Sequence, residues 1–253
     1  MPQLNTGSAS IYYEEYGTGY PVLLFAPGGM RSAIGAWRRN PANPDAIPPW
    51  MDPTQSLADE FRLIAMDQRN AGKSTAPISS TDDWSSFARD HVALLDHLGI
   101  DRCHVMGGCI GASYCLGLKA LAPSRVNAAV LQNPIGVAGA NHQVFHDMFA
   151  GWAREISARP DVEPSALERF GHNMFDGDFV FSVTRDFVRS CSMPMLVLPG
   201  EDAFHPTALA EEIVSLAPNA RLLTPWKGPA HLQSTIVAVR QFLKANTQSP
   251  IKP

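Results

Sequence analysis

Short apolar runs that read as buried strands alternate along this chain with segments of helical periodicity, and no other feature limits the fold as much. "ASIYYEEYG", "YPVLLFAPGG", "FRLIAMD", "CHVMGG", "VNAAVLQNP", "MPMLVLPG" and "ARLLTPW" are the strand candidates. Between them, Trp84, Phe87, Ala88, His91, Leu95 and Leu98 fall at steps of three and four. That spacing predicts a helix with one buried face, N-capped by Asp82 or Asp83. "IGASYCLGLKALA", Thr207 to Leu216 and Leu232 to Lys244 read as further helices. Apolar strands joined through helices make βαβ units, so the expected class is α/β, a mostly parallel central sheet flanked by helices.

One segment breaks the pattern. Residues 134–192 show no strand–helix alternation but hold Phe145, Met148, Phe149, Trp152, Phe170, Met174, Phe175, Phe179 and Phe181. The reading is a core formed by 1–133 and 193–253, with 134–192 inserted as a short helical cap over the carboxyl edge of the sheet. Open α/β sheets bind ligands at that edge. A pair of ordinary peripheral helices is the plainer alternative. "RRNPANPDAIPPWMDP", with five prolines, cannot be a helix or an inner strand. It is expected as a surface loop, either part of a pocket wall or a simple excursion.

Composition narrows the function classes. The 253 residues are 45% hydrophobic, enough for one sizeable core, and carry a net charge of -4, without the basic excess of a nucleic-acid binder. No apolar run approaches the roughly 18 residues of a spanning helix, and "MPQLNTGSAS" has neither a charged leader nor an apolar stretch. The expectation is a cytoplasmic protein with no membrane and no nucleic-acid partner. Cys103, Cys109, Cys115 and Cys191 include no CxxC pair and no zinc-like spacing with histidine, so neither a metal nor a disulfide framework is expected.

Gly107-Gly108-Cys109-Ile110-Gly111 fits G-x-nucleophile-x-G between a predicted strand and a predicted helix. A nucleophile on such a turn needs glycine, or nearly so, two positions before and after it, so that strand and helix can approach. The helix N-terminus beside the sulfur favours thiolate. Asp202 lies in "LPGEDAFHP" after one strand candidate, and His231 in "PWKGPAHLQ" after the last. The order nucleophile, acid, histidine then runs Cys109, Asp202, His231. His142, His146, His172 and His205 read as cap or loop residues. "AGKST" is not a phosphate loop, because position 67, which that motif needs as glycine, is Asp67.

With these segments the chain resembles the α/β-hydrolase superfamily over essentially its whole length outside the cap. "VLLFAPGGM" looks like the family's oxyanion turn, and "DQRNAGKS" is similar to its D-x-R-G-x-G-x-S stretch. The cysteine at the elbow resembles dienelactone hydrolases and, at the elbow alone, polyhydroxyalkanoate synthases. Departures are Pro27 before the oxyanion glycine, Asn70 for glycine, Ala230 before His231, and a shortened acid loop that leaves Glu201 as an alternative to Asp202.

The resemblance implies a Cys109–His231–Asp202 triad, with oxyanion donors from the N–H of Ile110 and of Gly29, or Met30 if the turn is shifted by one. It implies hydrolysis of an activated ester, thioester or lactone through an acyl-cysteine, on a small-molecule acyl substrate. No cofactor is implied. Acyl transfer by the same triad and a non-catalytic ligand-binding protein are the rival readings. A homo-oligomer is compatible with all of them.

Overall fold

The apolar runs become strands of one eight-stranded sheet: β1 (Gln3–Asn5), β2 (Ser10–Tyr16), β3 (Tyr20–Phe25), β4 (Phe61–Met66), β5 (Cys103–Gly108), β6 (Val126–Gln132), β7 (Met195–Leu198) and β8 (Ala220–Leu222). Their order is β1-β2-β4-β3-β5-β6-β7-β8. β1–β2 and β2–β4 pair antiparallel, and every pairing from β4 through β3 to β8 is parallel. This computed structural model describes residues 2–7, 9–39 and 48–247. Residues 40–47 of the proline-rich stretch therefore lie outside the described residues.

Alternate side chains of the inner strands serve opposite faces. Leu23 and Phe25 of β3 pack in one core with Phe87, Leu94 and Leu95 of α2 (Trp84–His97) and with Tyr114 and Leu118 of α3 (Ile110–Leu121). Val22 and Leu24 face the other way, packing with Trp37, Leu57, Val239 and Phe242. The last two belong to α8 (Leu232–Ala245), and Leu57 follows the short α1 (Pro53–Ser56). Burial on both faces is what a parallel sheet requires, since neither face can be left to water.

The two aspartates before α2 divide their work. Asp83 caps the helix, its carboxylate accepting from the N–H of Ser85 and Ser86 while the Ser86 hydroxyl answers the N–H of Asp83. Asp82 instead binds Arg69 at 2.9 Å, and Arg69 also meets Asp90 at 2.8 Å, a buried ion network. The "DQRNAGKS" stretch is thus a clamp. Asp67 accepts from the N–H of Ile34 and of Lys73, each at 2.8 Å, and so ties the turn after β3 to the end of β4. Asn70 stands at φ 59, a left-handed conformation that asparagine tolerates best after glycine.

Between β6 and β7 lie α4 (Gln143–Ile156), α5 (Pro164–Phe175) and α6 (Arg185–Ser190), with no strand among them. Phe145, Phe149, Trp152, Phe170, Phe175 and Phe181 from this insertion form a ring cluster with Trp84 of α2. The cluster is continuous with the core on that side of the sheet. α7 (Thr207–Leu216) completes the helices.

Candidate active site

Strand order reverses at β3, which lies between β4 and β5, and the crevice beyond the carboxyl ends of β3 and β5 is where such sheets hold ligands. Cys109 sits there, directly after β5. Its backbone, φ 57 and ψ -122, is one few non-glycine residues adopt. The neighbours make it achievable: a Cβ on Gly107 would run into the carbonyl of Gly111, and one on Gly111 into the carbonyl of Phe25. Both positions are glycine because strand and helix approach too closely for any side chain. The Cys109 N–H is held by the Gln132 carbonyl of β6 at 2.9 Å.

A cavity of about 670 Å³ opens above the sulfur. Its walls come from distant parts of the chain: Pro27, Gly28, Gly29 and Arg31 after β3, Pro49 and Trp50 from the proline-rich stretch, and Gln132, Asn133 and Ile135 after β6. Phe145, Met148 and Glu155 come from α4, Asp202, Phe204 and His205 from the loop after β7, and Lys227 from the segment after β8. At the mouth, Arg31 meets Glu155 at 2.6 Å, joining the turn after β3 to α4.

The histidine at this cavity is His205. Its Nδ1 lies 2.8 and 2.9 Å from the two carboxylate oxygens of Asp202. Asp202 also accepts from the N–H groups of Phe204 and His205, so the loop closes as a tight turn around its own carboxylate. The remaining ring nitrogen, Nε2, is buried without a hydrogen-bond partner among the described residues, and the ring is near enough to the Cys109 sulfur for each group to shift the other's pKa.

The electrostatics follow from that pairing. Burial disfavours the Cys109 thiolate, but the His205 charge, its hydrogen bond and the N–H groups of Gly28 and Ile110 outweigh it and lower the thiol pKa. Burial likewise disfavours a charged His205. The Cys109 sulfur and the Asp202 carboxylate reverse this and raise its pKa to about 10. The hydrogen bond from His205 leads the effects that bring Asp202 down to about 2. Both shifts favour charge separation between the sulfur and the ring, with the carboxylate on the far side of the ring. Burial pushes the Cys103 thiol up to about 12, and that of Cys115 well above its ordinary value.

Of the residues singled out in the sequence, Cys109, Asp202, Ile110 and Gly29 meet at or beside this cavity. His231 does not line it. It is the residue before α8, its N–H bonded to the Gly228 carbonyl, and the segment after β8 presents Lys227 to the cavity instead. The Gly28 N–H, from the residue before Gly29, contributes to lowering the Cys109 pKa. Met30 is 2% exposed and packs in the core. Glu201 is exposed and outside the cavity lining. The signal for His205 was its spacing: Asp-x-x-His lets the carboxylate bond both the backbone and the ring three residues on.

His142 bonds the Phe175 carbonyl, and His172 pairs with Asp176 at 3.0 Å, both within the insertion. Among the described residues, no three His, Cys, Asp or Glu side chains gather as a metal site, and no helix is long and apolar enough to cross a membrane.

A model of the alpha/beta hydrolase fold matches residues 21–180. A protein of Azorhizobium caulinodans, provisionally named carbamate hydrolase RutD, is 32% identical over 133 residues, covering 53% of this chain and 44% of that protein. A 2-hydroxy-6-oxo-6-phenylhexa-2,4-dienoate hydrolase of Comamonas testosteroni is 30% identical over 132 residues, covering 52% of this chain and 42% of its own length. The matched region thus spans less than half of either relative. Among solved structures, a serine hydrolase from the polyaromatic-hydrocarbon-degrading Cycloclasticus zankles superposes with a TM-score of 0.69 at 21% identity, covering 98% of this chain and 99% of that one. The likeness to that structure is one of fold.

Proposed function

Because this chain belongs to the alpha/beta hydrolase fold family, we propose that it is a hydrolase cleaving an activated ester, thioester or lactone through an acyl-cysteine on Cys109. Relatives named as hydrolases support the reaction class. The pairing of the Cys109 sulfur with a histidine held by Asp202 at 2.8 Å carries the choice of nucleophile. His205 takes the acid–base role in place of His231. Residues 134–192 act as the cap, α4 supplying the wall opposite the sulfur.

In the first half-reaction the Cys109 thiolate attacks the acyl carbon. The oxyanion that forms is stabilised by N–H groups already converging on the sulfur, those of Ile110 and Gly28, with Gly29 adjacent. The tetrahedral intermediate collapses with cleavage of the bond to the leaving group, and the His205 imidazolium gives that group its proton. His205, now neutral, removes a proton from water as the water attacks the thioester. Collapse releases the acid and restores the ion pair. Asp202 holds the ring by Nδ1 throughout, leaving Nε2 for proton transfer.

Sulfur also selects the substrate. A thiol with an unperturbed pKa near 8.5 leaves more readily than an alkyl alcohol, so an alkyl-ester intermediate returns to thiolate and ester. Phenyl esters, enol lactones and thioesters compete successfully.

Mass spectrometry of the intact protein, quenched in acid after mixing with a phenyl thioester, tests this directly. An acyl adduct on the Cys109 peptide that decays in water is expected, and none in Cys109→Ala. Turnover by Cys109→Ala, or an adduct elsewhere, would overturn it. Decay that accelerates with added thiol or alcohol would place the enzyme among acyltransferases.

A further inference from the structure

Two carboxamides stand side by side at the end of β6, and neither has a task in the chemistry above. Gln132, 1% exposed, is the last residue of the strand, and Asn133, 9% exposed, follows it. Both line the cavity that holds Cys109. Gln132 Oε1 and Asn133 Oδ1 are buried and have no hydrogen-bond partner among the described residues.

Their backbones are firmly placed. The Gln132 carbonyl accepts the Cys109 N–H at 2.9 Å, and Gln132 is in register with Gly108 across the parallel pair. The Gln132 amide lies against Gly108, where a side chain would come within 3.4 Å of its Nε2 and 3.2 Å of the Trp37 ring. Asn133 donates its N–H to the Leu198 carbonyl of β7 at 2.8 Å and adopts φ 47. The pair is therefore fixed on the rigid edge of the sheet beside the nucleophile, not on a mobile loop.

Buried acceptors left without a donor are costly, and native proteins rarely tolerate them without a reason. Apolar side chains in both places would avoid that cost. Four of the cavity's charged side chains are engaged with one another, Arg31 with Glu155 and Asp202 with His205, and Lys227, on the segment after β8, stands over the Trp226 ring. What this end of the cavity offers a ligand is a pair of neutral acceptors.

We infer that Gln132 and Asn133 are the acyl-recognition pair of the site, selecting substrates whose acyl chain carries a hydrogen-bond donor, a hydroxyl or an N–H. The inference rests on Cys109 being the nucleophile. A donor-bearing acyl chain gives its hydrogen to one of these oxygens, or shares it between both in a bifurcated bond, whereas a hydrocarbon chain of the same shape seals both off from any partner. Sites built this way reject the analogue that lacks the polar group far more strongly than apolar pockets discriminate by size.

The test compares kcat/KM for phenyl thioesters of 3-hydroxybutanoate, of 3-methylbutanoate, which replaces the hydroxyl by a methyl, and of succinate. Wild-type enzyme should favour the hydroxylated chain over the methyl chain by on the order of tenfold or more. Gln132→Met keeps side-chain length, and Asn133→Gly suits a positive φ. Each should bring that ratio toward one. Equal or better use of 3-methylbutanoate, a preference for succinate over both, or an unchanged ratio in both variants would overturn the inference. Absence of a Cys109 acyl adduct with all three thioesters would instead bring down the reading of Cys109 on which it rests.

Discussion

At the scale of single residues, the site turns on which histidine meets the sulfur. The rule that the catalytic histidine follows the last strand points to His231, and the chain has a histidine there. That rule encodes the usual path of a loop, and here the loop takes another path. The N–H groups of His231 and Leu232 both bond the Gly228 carbonyl, which folds the segment into the start of α8. His205 reaches the cavity from the acid loop itself, three residues after the carboxylate that holds it. The positions of Cys109 and Asp202 at the cavity were legible from the spacing of their flanking glycines and proline, whereas for His205 only the Asp-x-x-His spacing was local and its arrival at the cavity depends on loop direction, a tertiary property. His205→Gln should lower kcat/KM by about a hundredfold to ten-thousandfold, the usual worth of general acid–base catalysis, while His231→Gln should stay near wild type. Steady-state kinetics on a phenyl thioester decides this, and the reverse pattern would return the role to His231.

At the scale of elements, the β5–α3 elbow was the most readable part of the chain. Gly107 and Gly111 satisfy the steric demand the motif implies, with the Gly111 carbonyl and the Phe25 carbonyl where their side chains would be. Helix limits were also legible, since the periodicity of α2 and the Asp83 cap are local properties. β1 was missed because two exposed residues around a half-buried Leu4, pairing with β2, leave no apolar pattern to find. β8 stops at Leu222, within the run "ARLLTPW", because the register with β7 covers Ala220–Leu222 and the last bond to that strand is from the Leu223 N–H to the Val197 carbonyl. Gly111→Ala forces a methyl onto the backbone of β3, where no flexible side chain can yield. It should cost about 1–3 kcal/mol, the range for overpacking, with the upper end expected here. Urea unfolding measures it, and a cost near zero would mean that α3 shifts freely on the sheet.

At the scale of the whole molecule, alternation of strands and helices carried the sheet and its two buried faces, and the aromatic insertion carried α4 and α5. The cavity itself was not legible. Trp50, Met148, Phe204 and Lys227 come together only when five connections converge on one end of the sheet. Their neighbours in sequence are ordinary loop and helix residues that signal nothing of it. That convergence also makes Cys109 unlike the other cysteines, since Cys103 and Cys115 are sealed in the core and held as thiols. The lowered pKa of Cys109 and the raised pKa of His205, about 10, both favour thiolate and imidazolium over two neutral groups. The direct measurement is the rate of iodoacetamide alkylation of Cys109 from pH 5 to 10, read by peptide mapping, in wild type and His205→Gln. The account predicts a wild-type midpoint below about 8.5, a return toward or above that value in the variant, and Cys109 as the first cysteine modified. A wild-type midpoint at or above 8.5, no change on losing His205, or earlier labelling of another cysteine would contradict it.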